Sequence, residues 1–164
     1  MVQDHGVWIG VHTGRTNALV REGLEKGIIQ DFGKIERITP EVRVSEKSRL
    51  DFLLETSQGI TYLEVKNCSL AENNIALFPD AVTERGTKHL HELVRLCEAG
   101  YQTAVLFCVQ RSDAICCRAA REIDPVYAET LAWAHRQGVI FSAYQAEVFP
   151  QSITIIRKIP FSPT

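Results

Sequence analysis

The sequence predicts an α/β fold in which a mixed central β-sheet is flanked by helices. Strand-like apolar runs alternate with helical patterns along the chain, an order typical of layered α/β domains. The chain has 164 residues, 45% of them hydrophobic, which is enough to bury one core but too few for two independent domains. We therefore expect residues 1–164 to form a single domain, with residues 1–15 as an extended arm or linker.

Helical periodicity and capping signals predict three helices. The second helix has an apolar face that contains Leu90, Leu93 and Val94, and Gly100 supplies its stop. The third begins with Asp124 and Pro125, a cap followed by a residue suited to the first helical position. The helices are expected from Thr16 or Asn17 to Gly27, from Thr83 to Ala99, and from Asp124 to Gly138.

The remaining regular patterns predict strands. Residues 101–109 form a nearly continuous apolar run, which is typical of a strand buried on both faces, so we place it at the centre of the sheet, parallel to the strand that precedes the second helix. Pro40 favours an edge position for its own segment. A loop of about a dozen residues is expected after Asn67. The expected strands are 35–44, 48–55, 61–67, 101–109, 139–144 and 152–156.

Charge and cysteine content restrict the function. A formal net charge of −2 and a pI near 6.2 argue against a strongly basic nucleic-acid-binding surface. The five cysteines include no Cys-x-x-Cys pair, so we interpret them as buried apolar groups; the vicinal Cys116-Cys117 pair leaves a redox or soft-metal site as the alternative. No apolar run could span a membrane and no secretion signal is visible, so we expect a cytoplasmic protein.

Three charged residues on two neighbouring strands form the candidate site. Side chains alternate along a strand, so Glu64 and Lys66 project to the same side, and Asp51 on the preceding strand can join them. Two carboxylates, with the backbone carbonyl of Val65 in reach, suit a magnesium ion that keeps several waters. The alternative is an ordinary exposed ion pair on a solvated sheet face, which is common.

The second predicted helix carries a polar face opposite its apolar one. At three- and four-residue spacing its side chains can face one direction as a basic cluster, or form a mixed solvated face. A histidine on this face is a candidate proton donor to a leaving oxygen, or a surface residue without a role. The polar face comprises Arg85, Lys88, His89, Glu92 and Arg95.

Three runs of sequence resemble the sugar fermentation stimulation protein A family: residues 48–52, 63–67 and, most specifically, Phe78 to Leu93. The resemblance extends over essentially the whole chain. It implies a restriction-endonuclease-like core of the PD-(D/E)XK superfamily, with Mg²⁺ or Mn²⁺ as cofactor and DNA or RNA as partner. The residues that this resemblance assigns are Asp51, Glu64 and Lys66 for catalysis, Asp51, Glu64 and Val65 for the metal, and Arg49, Arg85, Lys88 and His89 for nucleic acid.

Two departures from the family pattern bear on function. The residue before Asp51 is leucine where the superfamily has proline, and Pro79-Asp80 follows the Glu-x-Lys pair and is interpreted as a loop feature. Family members also carry an OB-like barrel before this domain, to which residues 1–15 would be the link. The expected function is Mg-dependent phosphodiester hydrolysis; the alternatives are a non-catalytic, non-specific DNA-binding regulator of sugar metabolism genes and a protein interaction module.

Overall fold

The computed structural model describes all residues, 1–164. It contains twelve strands, three α-helices and one 3₁₀ turn at Thr13–Arg15. In chain order the elements are β1 Val2–Asp4, β2 Val7–Ile9, α1 Thr16–Glu25, β3 Ile35–Ser45, β4 Ser48–Thr56, β5 Gly59–Cys68, β6 Leu70–Glu72, β7 Ile75–Phe78, α2 Glu84–Glu98, β8 Gln102–Val109, β9 Cys116–Ala119, α3 Pro125–Arg136, β10 Ile140–Phe149, β11 Ser152–Ile159 and β12 Phe161–Ser162.

A six-stranded mixed sheet forms the centre of the molecule, in the order β11-β10-β8-β5-β4-β3. The pairs β5–β8 and β8–β10 are parallel, whereas β3–β4, β4–β5 and β10–β11 are antiparallel. Seven of the eight residues of β8 are buried, as expected for a strand with a neighbour on each side and a layer on each face. The central position of β8 and its parallel pairing with β5 confirm the sequence-based prediction.

Two apolar cores lie on opposite faces of this sheet. Helix α1 packs on one face, where Leu19, Val20 and Leu24 join the core. Helices α2 and α3 cover the other face, where Leu90 and Leu131 are buried. Both helices are capped at their N-termini. The Thr83 side chain accepts from the Gly86 N–H of α2, and the Asp124 side chain, the predicted cap of α3, accepts from the Tyr127 N–H.

The predicted cap of α1 is wrong. The N-cap position is Arg15, which makes no side-chain capping bond, and the chain enters the helix from the 3₁₀ turn instead. Thr16 accepts a hydrogen bond from Gln110, and Asn17 donates to Asp51. Both side chains are therefore used in tertiary contacts.

The loop expected after Asn67 is also wrong, because β6 and β7 form an antiparallel hairpin there. A second, four-stranded sheet has the order β12-β9-β7-β6. Its strands have two to four residues each, too short to show alternation, and β7 pairs with β9 from a distant part of the chain. Local patterning could not reveal that pairing.

For residues 6–12 the sequence predicts a short strand or an extended arm; the structure has the short strand β2 there, paired with β1 in a hairpin. Ile9 bridges to Arg111, and the Gly10 N–H donates to the Gln110 carbonyl, so the hairpin is attached to the end of β8. None of the helices combines the length and the apolar character that crossing a bilayer requires.

Candidate metal centre

The candidate centre lies where β4 and β5 separate. Their antiparallel pairing runs from the turn as far as Phe52 opposite Leu63 and then stops. Continued by one residue, that register would set Asp51 directly opposite Glu64. Like charges directly opposite one another destabilise a sheet. We infer that the two carboxylates contribute to opening the ladder here.

Asp51 bridges the gap between the separated strands. Its Oδ2 accepts a hydrogen bond of 2.8 Å from the Val65 N–H, so the side chain replaces a missing ladder partner. Its Oδ1 accepts a bond of 2.8 Å from the Asn17 amide on α1. In a strand, the N–H and C=O of one residue point to the same side, so the Val65 carbonyl is directed toward the gap as well.

Glu64 is held from the opposite face of the sheet. Its Oε1 accepts from Lys66 Nζ at 2.8 Å and from His89 Nδ1, on α2, at 2.6 Å. The Glu64 and His89 side chains are only 5% and 6% exposed. The second oxygen, Glu64 Oε2, is buried and has no hydrogen-bond partner. One oxygen of this carboxylate is therefore fixed, and the other is available.

The two carboxylates differ in their protonation behaviour. Burial alone would raise the pKa of Glu64, but the His89 hydrogen bond and the Lys66 charge outweigh it and lower that pKa to about 2. Glu64 is thus ionised at neutral pH, and His89 Nδ1 must carry the hydrogen of their bond. Burial and the Glu64 charge raise the pKa of Asp51, against the Val65 and Asn17 hydrogen bonds that lower it. A nearby cation would relieve that repulsion.

This donor set fits a small divalent cation. Nowhere in the structure are three or more His, Cys, Asp or Glu side chains arranged to hold a metal ion, so a cation here would need ligands beyond the two carboxylates. The unpartnered Glu64 Oε2, the adjacent Asp51 and the Val65 carbonyl offer oxygen ligands, and magnesium keeps several waters when it binds to proteins.

An open cleft of about 430 Å³ leads to these groups. Lys66 and Arg85 contribute positive charge to its lining. Asp80, interpreted from the sequence as a loop feature, lines the same cleft and is exposed. The 3₁₀ turn and the start of α1 contribute Thr13, Gly14, Thr16 and Asn17 to the same lining.

A second concavity, of about 650 Å³, adjoins the first and shares Arg85 with it. Arg49 and Lys88 line it, as the predicted nucleic-acid-binding role would need. Arg95, on the same face of α2, does not line this concavity. It pairs with Glu92 and donates to the Val44 carbonyl. We call this concavity the turn groove; its lining is Arg43, Ser45, Glu46, Lys47, Ser48, Arg49, Glu84, Arg85, Lys88 and His89.

The prediction that His89 lies on an exposed helix face is wrong, whereas its contact with nucleic acid stays a prediction. His89 is buried, and its Nδ1 is engaged by Glu64. The signal for burial was present in the sequence, because Leu93 and Leu96 follow His89 at four and seven residues and therefore share its side of the helix. Asn17 was missed as a functional residue, since nothing local connects it to Asp51.

Comparison with known proteins identifies the family. Residues 14–152 match the family model described as the sugar fermentation stimulation protein RE domain. The chain belongs to the sugar fermentation stimulation protein family. Family members include homologues from Desulfotalea psychrophila, 45% identical over 99% of this chain and 69% of the relative, and from Geobacter sulfurreducens, 46% identical over 98% and 68%.

A solved family structure has the same fold. The Pyrococcus furiosus protein, determined in complex with Ca²⁺, superposes with a TM-score of 0.90 at 28% identity, covering 97% of this chain and 69% of that one. The predicted α/β fold with a mixed central sheet flanked by helices is confirmed.

Proposed function

We propose that this domain, residues 1–164, is a metal-dependent phosphodiesterase that hydrolyses nucleic acid, with DNA as its substrate and Mg²⁺ or Mn²⁺ as its cofactor. Asp51, Glu64 and the Val65 carbonyl are the metal ligands, and Lys66 acts on the reacting phosphate. The observation that carries the proposal is the buried, unpartnered Glu64 Oε2 beside Asp51. A buried acceptor without a partner costs about 1–3 kcal/mol, a cost that a bound cation would remove.

A relative supports the choice of cofactor. The Pyrococcus furiosus family member was solved with Ca²⁺, a cation that takes oxygen ligands as Mg²⁺ does. When bound, the cation would supply Lewis acidity and lower the pKa of a water molecule. The contributions of the protein's own groups follow from their contacts.

Lys66 is placed to act on developing negative charge. It is 14% exposed, and its Nζ is 2.8 Å from Glu64 Oε1, so its charge lies at the edge of the carboxylate pair. An ammonium group there orients a water molecule or stabilises a phosphoryl oxygen as its charge increases. Arg85, on the cleft rim, is placed to bind a neighbouring phosphate oxygen.

His89 is a positioning residue in this scheme. Its hydrogen bond fixes Glu64 Oε1, which leaves Oε2 as the oxygen available to a ligand. Asn17 has the matching role on the other face, where it restrains Asp51. The two helices α1 and α2 thereby hold one carboxylate each.

Cleavage assays on plasmid and single-stranded substrates in Mg²⁺ or Mn²⁺ test the proposal. We expect cleavage by the unmodified protein and its loss in Asp51→Asn and Lys66→Ala, whereas Arg121→Ala, an exposed cation distant in sequence from the site, retains it. Cleavage that survives both site substitutions would contradict the assignment. Binding without cleavage, with an affinity that falls steeply as salt rises, would favour the non-catalytic DNA-binding regulator.

A further inference from the structure

The turn groove differs from the rest of the surface in the state of its cations. None of its five, Arg43, Lys47, Arg49, Arg85 and Lys88, forms an ion pair, although two carboxylates, Glu46 and Glu84, lie in the same lining. Ion pairs elsewhere use Arg21, Lys26, Arg37, Lys66, Arg95, Arg111, Arg118, Arg121 and Lys158. On a chain of net charge −2, unpaired cations are thus concentrated in one concave place.

A buried hydroxyl also lines this groove without a partner. Ser48 is 3% exposed, and its Oγ makes no hydrogen bond in the structure. Buried polar groups are nearly always satisfied, so an orphan of this kind calls for an explanation. A ligand oxygen in the groove would supply one.

The shape of the groove is fixed by the backbone. Arg43 donates to the Ser45 and Glu46 carbonyls and so closes the β3–β4 turn. Lys88 reaches the Lys47 carbonyl at 3.4 Å, which ties the turn to α2. The lining contains no hydrophobic residue, so the groove suits a ligand that is anionic and has no apolar part.

We propose that the turn groove binds a phosphate group of the nucleic-acid strand whose scissile phosphate lies in the adjacent cleft. This inference rests on the proposed function. Arg85 lines both concavities and connects them. The phosphate is either an internal diester or a terminal monoester.

Substitution of Ser48 separates ligand binding from folding. Binding of a labelled single-stranded oligonucleotide is measured in EDTA by fluorescence anisotropy, so that no cleavage intervenes. We expect Ser48→Ala to weaken binding about 10- to 100-fold, as for loss of one hydrogen bond to a charged group, without lowering the unfolding temperature. Ser142→Ala is the matched control, because Ser142 Oγ is also buried and unpartnered but lies on β10 outside the groove. Equal affinities for the two variants would overturn the proposal.

The cations are tested by the salt dependence of the same binding. Each phosphate contact on a single strand contributes about 0.7 to the slope of log affinity against log salt. The double variant Arg49→Ala, Lys88→Ala should therefore lower the magnitude of the slope by about 0.7, the contribution of the one phosphate that the groove binds. The control is Lys34→Ala, Arg136→Ala, which removes two unpaired cations outside the groove. Equal slopes for the two double variants would contradict the assignment.

Two further comparisons identify the type of phosphate and distinguish phosphate binding in the groove from hydrolysis in the cleft. Oligonucleotides with a 5′-phosphate, a 3′-phosphate or hydroxyl ends are compared; tighter binding of one phosphorylated end, lost in Ser48→Ala, identifies a monoester, and equal binding identifies an internal diester. If the groove variants weaken binding but the unmodified protein cuts nothing, only hydrolysis is refuted. If cleavage occurs and the groove variants keep the original KM, only the groove is refuted.

Discussion

Two polar clusters lie at different places on the central sheet, and they differ in how completely their hydrogen-bonding groups are satisfied. In the first, next to β8 and β10, Arg111 pairs with Asp113 and donates to the Ser69 carbonyl, while Gln145 donates to the Arg111 and Ala114 carbonyls and accepts from Arg157. In the second, at β4 and β5, Glu64 keeps an unpartnered oxygen and Asp51 has a raised pKa. The first cluster is built to stabilise the fold, and the second retains capacity for a ligand.

The comparison shows that burial and charge alone do not identify a site. Arg111 is as deeply buried as Glu64 and just as firmly paired. What differs is the remaining bonding capacity. The Arg111 guanidinium has a partner at each of its three nitrogens, whereas the carboxylates of the second cluster repel one another and leave an acceptor free.

The largest expected effect is on hydrolysis by the second cluster. Asp51→Asn should lower the cleavage rate by at least about 100-fold, since a metal ligand and a fixed charge at the reacting phosphate are removed. The fold should persist, because an Asn oxygen can still accept the Val65 N–H. Rates and circular dichroism spectra of both proteins check this. An Asp51→Asn protein that is inactive because it is unfolded would not support a role for Asp51 as a metal ligand.

The next effect is on stability, in the first cluster. Arg111→Met should lower the free energy of unfolding by about 2 kcal/mol, because the Ser69 carbonyl and Asp113 lose their partner. Urea denaturation measures it. The cleavage rate per folded molecule should stay close to that of the unmodified protein. A selective loss of rate would mean that the two clusters are not separate in function.

A smaller effect is the response of stability to metal. At ten times its dissociation constant, a cation that binds only the folded state stabilises it by about 1.4 kcal/mol. We expect Mg²⁺ or Ca²⁺ to raise the unfolding temperature of the unmodified protein and of Arg111→Met, but not that of Asp51→Asn. Thermal denaturation with and without EDTA measures these shifts. An equal rise in all three proteins would place the cation elsewhere.

The smallest effect is the contribution of the first cluster to the pH dependence of stability. Hydrogen bonding to Arg111 lowers the pKa of Asp113. A carboxyl whose pKa is lower in the folded state contributes stability above its unfolded pKa and loses it as pH falls through the folded value. The stability difference between the unmodified protein and Asp113→Asn should therefore shrink in acid, as urea denaturation across pH would measure. A difference that is constant with pH would refute the electrostatic origin.

The sequence predicted part of this arrangement, and tertiary structure determines the rest. Strand alternation placed Glu64 and Lys66 on one side with Asp51 on the preceding strand, and the family resemblance assigned the same three residues. Their proximity in the structure agrees with that placement. Asn17 lies 34 residues from Asp51, so no local pattern connects them. The β6–β7 hairpin escaped prediction because it gains its stability by pairing with the distant β9.

The net charge of the chain also says little about where it can bind an anion. The net charge of −2 argued against a nucleic-acid partner, but a sum over the chain does not report where cations remain unpaired. Many of the cations are neutralised in ion pairs, and five of those that form no ion pair line the turn groove. Ser48, which supports a ligand in that groove, carries no signal in the sequence, because a serine at the start of a strand is ordinary.

The most direct test of the central claim is a crystal structure with Mn²⁺, located by its anomalous scattering. We expect one peak in the gap between β4 and β5, bound by Asp51, Glu64 Oε2 and the Val65 carbonyl, with metal–oxygen distances of about 2.0–2.1 Å as for a Mg²⁺-like ion. His89 should remain hydrogen-bonded to Glu64 Oε1. A gap without a peak at saturating Mn²⁺, or a Glu64 Oε2 that bonds to a protein group instead, would contradict it.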